Sequence, residues 1–130
     1  MHVAGARHFR ELIVWQLSEQ LRVEVLGITT RPCFRKDFKL RAQLEDAIDS
    51  VCRNIAEGFG GTNQQFAWFL RISRRSLNEV QDELHSARLK GYVTDTDLIT
   101  ARRLVRRIYP AMASLLKHLD KKRPDEPDAE

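Results

Sequence analysis

Cysteine is scarce in this sequence: only Cys33 and Cys52 occur among 130 residues. They lie far apart and show no metal-ligand spacing, which argues against a disulfide framework and for free thiols in a reducing compartment. No apolar run approaches the roughly 18 to 20 residues that a membrane helix needs, and no charged-start, apolar-middle, small-residue-end pattern marks a leader. A cytoplasmic location without membrane attachment is expected. Nor is there a phosphate-binding glycine motif, because Gly58-Phe59-Gly60-Gly61 lacks a strand before it and a lysine after it. His2, His8 and His118 sit near the termini and form no base–nucleophile constellation with Ser73, Ser76 or a cysteine. A di-iron bundle site needs inward glutamates and two Glu-x-x-His units. Here Asp82-x-x-His85, with Asp46 and Asp49 nearby, supplies half the ligands and reads as surface ion pairs and a surface histidine. The expectation is therefore no enzyme, no cofactor and no metal. Alternating strand patterns and internal repeats are absent as well.

Charge, by contrast, is abundant. Charged residues make up 31% of the chain, with 22 Lys and Arg against 18 Asp and Glu, a net +4. Four of the acidic residues fall between Asp125 and Glu130 with no basic one among them, so residues 1–124 carry 22 basic against 14 acidic residues, a net +8. A domain this basic invites phosphate-bearing partners. The segment 122–130, broken by Pro124 and Pro127, reads as a disordered acidic tail and residues 1–8 as a flexible N-terminus. The domain between them spans 9–121.

Within that domain the apolar residues recur at steps of three and four, the period of an amphipathic helix. Phe9, Leu12, Ile13, Leu17, Leu21, Val25 and Ile28 define the first helix, fading at Gly27 and broken by Pro32. Asp37 is the expected N-cap of the second, in which Leu40, Leu44, Ala47, Ile48, Val51 and Ile55 line one face. Gly58, Gly60 and Gly61 are expected to stop it by supplying a left-handed terminus. Thr62 to Gln65 fits a capping box for a third helix from Asn63 to Lys90, carrying Phe66, Leu70, Ser73, Leu77, Val80, Leu84 and Ala87 and ending at Gly91. Thr94 and Asp97 sit at the same spacing ahead of a fourth, with Leu98, Ala101, Val105, Ile108, Met112, Leu115 and Leu119. Pro110 lies inside it and predicts a bend with one carbonyl left without its donor. Four such helices with short links predict an all-α, antiparallel up-down-up-down four-helix bundle.

Arginines form the clearest candidate site. Arg102, Arg103, Arg106 and Arg107 centre opposite the apolar stripe of the fourth helix, so they are expected to face outward together. Arg71, Arg74 and Arg75 form a second group on the third helix. Arg31, Arg35, Lys36, Lys39 and Arg41 form a third around the first link. Such clusters suit phosphate-backbone binding, and equally a solvated face neutralised by Glu79, Asp82 and Glu83. Asn54, beside the apolar stripe, needs a partner if buried, and a bond across to Ser73 or Ser76 would fix the register of the hairpin. Trp15, Trp68 and Phe69 read as core residues in preference to a base-stacking platform, with Trp68 off the main seam and suited to an oligomer interface.

The runs Phe9, Leu12, Val14, Trp15, then Asn54-Ile55-Ala56-Glu57-Gly58, Ser76-Leu77 with Glu79-Val80, and Leu89 with Gly91-Tyr92, resemble the four-helix bundle proteins encoded by intervening sequences of bacterial large-subunit ribosomal RNA genes. The resemblance covers about residues 9 to 120. It implies an antiparallel bundle assembling into a ring-like homopentamer with a basic surface. It also implies a kinship of architecture with the accessory proteins of diversity-generating retroelements, which bind nucleic acid and a reverse transcriptase. The leading expectation is a non-enzymatic homo-oligomer that binds RNA or DNA backbones. The alternative is a protein-interaction adaptor, such as an accessory subunit of a retroelement reverse transcriptase.

Overall fold

The 3.6-residue periodicity is realised in four helices. A computed structural model, which describes residues 3–121, contains four long helices and, among those residues, no strand. Helix α1 spans Ile13–Thr29, α2 Phe38–Phe59, α3 Asn63–Leu89 and α4 Ile99–Asp120, with single 3-10 turns at Phe9–Glu11 and Pro32–Phe34. The most extensive packing joins α2 to α3, while α1 lies against α2 and α4, and α4 closes on α3. Across the α2–α3 and α3–α4 seams the partners run in reverse order. Val51 and Ser50 of α2 meet Ser73 and Ser76 of α3, while Arg71 and Asn78 of α3 meet Asp120 and Tyr109 of α4. This is the packing of an all-α four-helix bundle. No helix among the described residues is long and apolar enough to cross a membrane.

The predicted stripes form the core. Leu44, Ile48, Val51 and Ile55 of α2 face Phe66, Leu70, Leu77 and Val80 of α3, all fully buried; burying one such side chain contributes about 1.5–3 kcal/mol. The ends of the bundle are closed by residues outside the helices. Phe34, from the link between α1 and α2, is fully buried against Tyr92, their ring centroids 5.2 Å apart. At the opposite end Val3 and Ala6 are buried, paired by backbone hydrogen bonds through a turn in which Ala4 and Gly5 have positive φ. The N-terminal segment expected to be loose therefore contributes two core residues from position 3 onward, because an open bundle end exposes apolar surface. The acidic tail 122–130 lies outside the described residues.

Helix termini differ from expectation in instructive ways. Asp37 caps α2 by accepting the Leu40 N–H, and Thr62 with Gln65 forms the predicted reciprocal box at α3. Gly91, at φ +77°, ends α3 as glycine should. The first helix, however, begins at Ile13 and not Phe9, because His8 and Glu11 cap a separate 3-10 turn and Leu12 is extended. Leu12 and Val14 are buried there and Ile13 is 65% exposed. Gly27 lies exposed inside α1 without ending it. The Thr94–Asp97 box also forms, but it closes a turn ahead of α4, whose first residue is Ile99. Pro110 sits exposed within an unbroken α4 and, lacking an N–H, leaves the Arg106 carbonyl without its intrahelical donor.

Gly58 is the main correction. The helix does not stop at it: α2 continues through it to Phe59, and neither Gly58, Gly60 nor Gly61 has positive φ. Its role is close packing. A Cβ there would lie 2.7 Å from the Phe69 Cβ and 2.8 Å from the Phe66 Cδ1, closer than carbon atoms approach. At Gly60 a Cβ would meet nothing within 4 Å. Gly58→Ala is therefore expected to lower stability by about 1–3 kcal/mol through overpacking, while Gly60→Ala stays within about 0.5 kcal/mol of the parent. Urea titrations with unchanged m-values check both; equal midpoints for the two variants would remove the packing argument.

Candidate nucleic-acid interface

The candidate cations are distributed by the packing of α3 on α4. On α3, Arg71, Arg74, Asn78, Gln81, Asp82, His85 and Arg88 fall at helical spacing along the side turned towards α4. A groove of about 590 Å³ opens between the helices, floored by Leu84, Leu98 and Val105 and walled by Asn78, Gln81, Asp82 and His85 against Arg102 and Arg106. Ion pairs flank it along the seam. Asp95 accepts from Arg88 and Arg102, each at 3.1 Å, and Asp120 accepts from Arg71 at 2.9 Å. Between them the Tyr109 hydroxyl donates to the Asn78 side chain. Burial pushes the Tyr109 phenol up, and nearby Arg74 opposes that push. From Arg71 to Arg88 the rail is about 26 Å long at 1.5 Å per residue.

The arginine tetrad of α4 is thus divided. Arg102 is half-buried and held by Asp95, so it does not face outward freely as expected. Arg106 lines the α4 wall of the groove, whereas Arg103 and Arg107 follow 100° later on the helix, turned away from α3. Arg103, Arg106 and Arg107, with Arg74 and Arg75 of α3, are exposed and have no ion-pair partner among the described residues. The second and third groups share this mixture. Arg71 is paired with Asp120, Arg31 with Asp97 at 3.0 Å and Arg41 with Glu45 at 3.3 Å, while Arg35, Lys36 and Lys39 are exposed and unpaired among the described residues. Arg71 and Arg74 of α3 and Arg102 and Arg106 of α4 line one seam, from which Arg103 and Arg107 turn away; Arg35 and Lys36 lie in the link between α1 and α2. The Asp95 bridge linking Arg88 to Arg102 was missed in the sequence, where its only sign was an acidic residue seven positions from each arginine.

The motif residues serve the hairpin. Asn54 is buried, and its amide donates to the Ser50 carbonyl at 2.8 Å and to the Ser50 hydroxyl at 3.0 Å. It is Ser50 that crosses to α3, bonding the Ser76 hydroxyl at 2.7 Å, and Ser73 donates to the Val51 carbonyl at 2.7 Å. Asn54 therefore acts on register through Ser50 and not by its own bond to Ser73 or Ser76, because its side chain turns back along its own helix. Glu57 and Glu79 are exposed. Burial pushes the Cys52 thiol up to about 12, which keeps it protonated and inert. Cys33 is exposed and its thiol lies 3.3 Å from the Tyr92 carbonyl. Among the described residues no three His, Cys, Asp or Glu side chains are grouped to hold a metal ion.

Compared with known proteins, residues 10–114 match the family model described as 23S rRNA-intervening sequence protein. No curated protein matches the chain.

Three carboxylates bind the links between helices to their cationic partners. Lys90, the Leu40 N–H and the Tyr92 hydroxyl hold Asp37 below the usual range, and Arg88 and Arg102 do the same for Asp95. Arg31, with the Thr94 N–H and hydroxyl, lowers Asp97 to about 2. A carboxyl group with a lower pKa folded than unfolded stabilises the fold above its unfolded pKa, near 3.9, and that contribution disappears as pH falls through the folded value. Melting temperature is accordingly expected to fall steeply between about pH 4 and pH 2, and Asp97→Asn to lower it at pH 6 while flattening its acid dependence. A variant with the parent's acid profile would show that Asp97 does not link protonation to folding.

Proposed function

The chain belongs to the 23S rRNA-intervening sequence protein family, and from that premise we propose that it is a non-enzymatic, homo-oligomeric bundle that binds RNA or DNA through backbone phosphates. The observation that carries this reading is the set of unpaired arginines on adjoining helices, Arg74 and Arg75 of α3 with Arg103, Arg106 and Arg107 of α4. Guanidinium groups bond phosphate oxygens in pairs, and each neutralised phosphate releases condensed counterions, so binding needs no base-edge contact. The net +8 of residues 1–124 adds long-range attraction. Arg102 acts differently, holding Asp95 and with it the start of α4.

Self-association is supported by apolar side chains left on the surface. Ile13, Val23 and Leu26 of α1 are exposed, as are Phe38, Leu89 and Ile99 at the opposite end of the bundle from Val3. A ring of copies, five in the arrangement that the family resemblance implies, multiplies one weak phosphate face into an avid one. Phe38 and Leu89, 73% and 72% exposed beside the Lys90–Asp37 bridge, also favour a second reading. In it the bundle is an adaptor docking a protein such as a reverse transcriptase. The protonated Cys52 and free Cys33 fit a reducing cytoplasm.

Filter binding at two salt concentrations tests the phosphate reading. Affinity for a mixed RNA or DNA probe is expected to fall steeply with salt. The triple variant R103E/R106E/R107E, which spares the Arg102–Asp95 bridge, should lose affinity at least tenfold and flatten the slope of log K against log salt by about 2 to 3. Unchanged slope and affinity would sink the assigned face. A parent protein that forms an oligomer in light scattering but ignores nucleic acid would put the adaptor first.

A further inference from the structure

Trp68, expected in the core, is 58% exposed on α3. Four residues before it stands Gln64, three after it Arg71 and seven after it Arg75, all exposed, so the four fall on one outward stripe. Behind the indole, Phe69 packs edge-on with ring centroids 5.0 Å apart at 78°. Phe69 is itself held at the α2–α3 seam by the close approach to Gly58. The indole face is therefore supported, open to solvent and followed along the helix by two guanidinium groups. Aliphatic surface that suits a protein partner lies elsewhere, on α1 and at the Phe38–Leu89 end. Within one turn of Trp68 stand the exposed Gln64, Gln65 and Arg71 and the half-buried Ile72, and Arg75 follows a turn later. Arg71 also touches Asp120, and Arg75 has no ion-pair partner among the described residues.

We propose that Trp68 is a base-stacking residue and that the bundle engages unpaired, single-stranded segments of nucleic acid, with an exposed base on the indole and a flanking phosphate on Arg75. The inference rests on the nucleic-acid reading and adds strand state to it. A duplex hides its base faces within the stack and offers only phosphates, so it gains nothing from an indole. An unpaired base has a free π-face of any sequence, and stacking on an aromatic side chain is tolerant of which base it is. RNA and DNA share both elements, so single strands of either sugar are bound.

The test uses three fluorescent probes of equal length, single-stranded RNA, single-stranded DNA and duplex DNA, with the whole chain and its W68A and W68F variants. Both single strands should bind the parent more tightly than the duplex. W68A should lose tenfold to a hundredfold for single strands, W68F less, and neither should change for the duplex. Single strands should also quench the tryptophan emission of the parent but not that of W68F, whose remaining indole, Trp15, is half-buried against Phe9. Because Trp68 is exposed, both variants should melt as the parent does. Single-strand binding by W68A at the parent's affinity overturns the inference while leaving the arginine face standing. Loss of oligomer mass in W68A overturns it in favour of a contact between copies. A parent that binds no probe overturns the nucleic-acid reading, and this inference falls with it.

Discussion

Close approach of α2 to α3 at Gly58 is the constraint from which much of the molecule follows. With no side chain at that position, the α2 backbone comes against Phe66 and Phe69, bringing the two helices near enough for hydroxyl groups to bridge them. Further along the same seam Ser50 meets Ser76, and Ser73 reaches the Val51 carbonyl. Buried hydroxyls left without partners are costly, so these bonds penalise any slip of one helix along the other. The apolar stripes provide the driving force for the hairpin, but leucines and valines alone tolerate repacking. Glycine and serine at fixed positions make the register unique, and the α3 surface that carries the arginines and Trp68 is oriented by that register.

Four helices, their order and most of their core were legible because binary pattern and period decide them. Phe66, Leu70, Leu77 and Val80 were placed in the core by spacing alone, and Asp37, Thr62 and Gln65 were readable as caps because capping is local chemistry. What escaped the sequence was long-range. Gly58 looks the same in one dimension whether it ends a helix or admits a neighbouring one, and only the position of Phe69 decides. Phe34 and Val3 close the bundle ends from segments without periodicity, so no pattern could announce them. Thr94 and Asp97 form the box that their spacing suggests, yet Arg31 draws Asp97 into an ion pair and Leu98 is buried, and the helix starts later.

The candidate interface was legible to a lesser degree, for a physical reason. Helical spacing gives the angular position of an arginine but says nothing of the carboxylate that another element brings to it. Arg102 and Arg106 share one side of α4, yet Asp95 holds only the first. Arg71 and Arg74 are one turn apart, yet Asp120 reaches only Arg71. Exposed ion pairs of this kind contribute little to stability, but they do decide which guanidinium groups keep their donors for a phosphate. The acidic residues of the domain thus shape the basic face by subtraction. Net charge, which counts them all alike, cannot reveal it.

That subtraction also bears on what the bundle can distinguish. Phosphate contacts carry no sequence information, and five unpaired arginines on two adjoining helices would hold duplexes and single strands alike. Discrimination requires a group that responds to something other than charge. Along α3 the side towards α4 has Arg71 and Arg88 held in ion pairs, and the outward stripe carries one large, rigid side chain, Trp68, braced by Phe69. Because Phe69 is positioned by Gly58, the packing constraint that fixes the hairpin also fixes the aromatic face that α3 offers to solvent beside its arginines. Architecture and selectivity are then joined at a single seam. Loosening α2 from α3 would disturb not only stability but the attitude of the indole to the charged stripe that follows it.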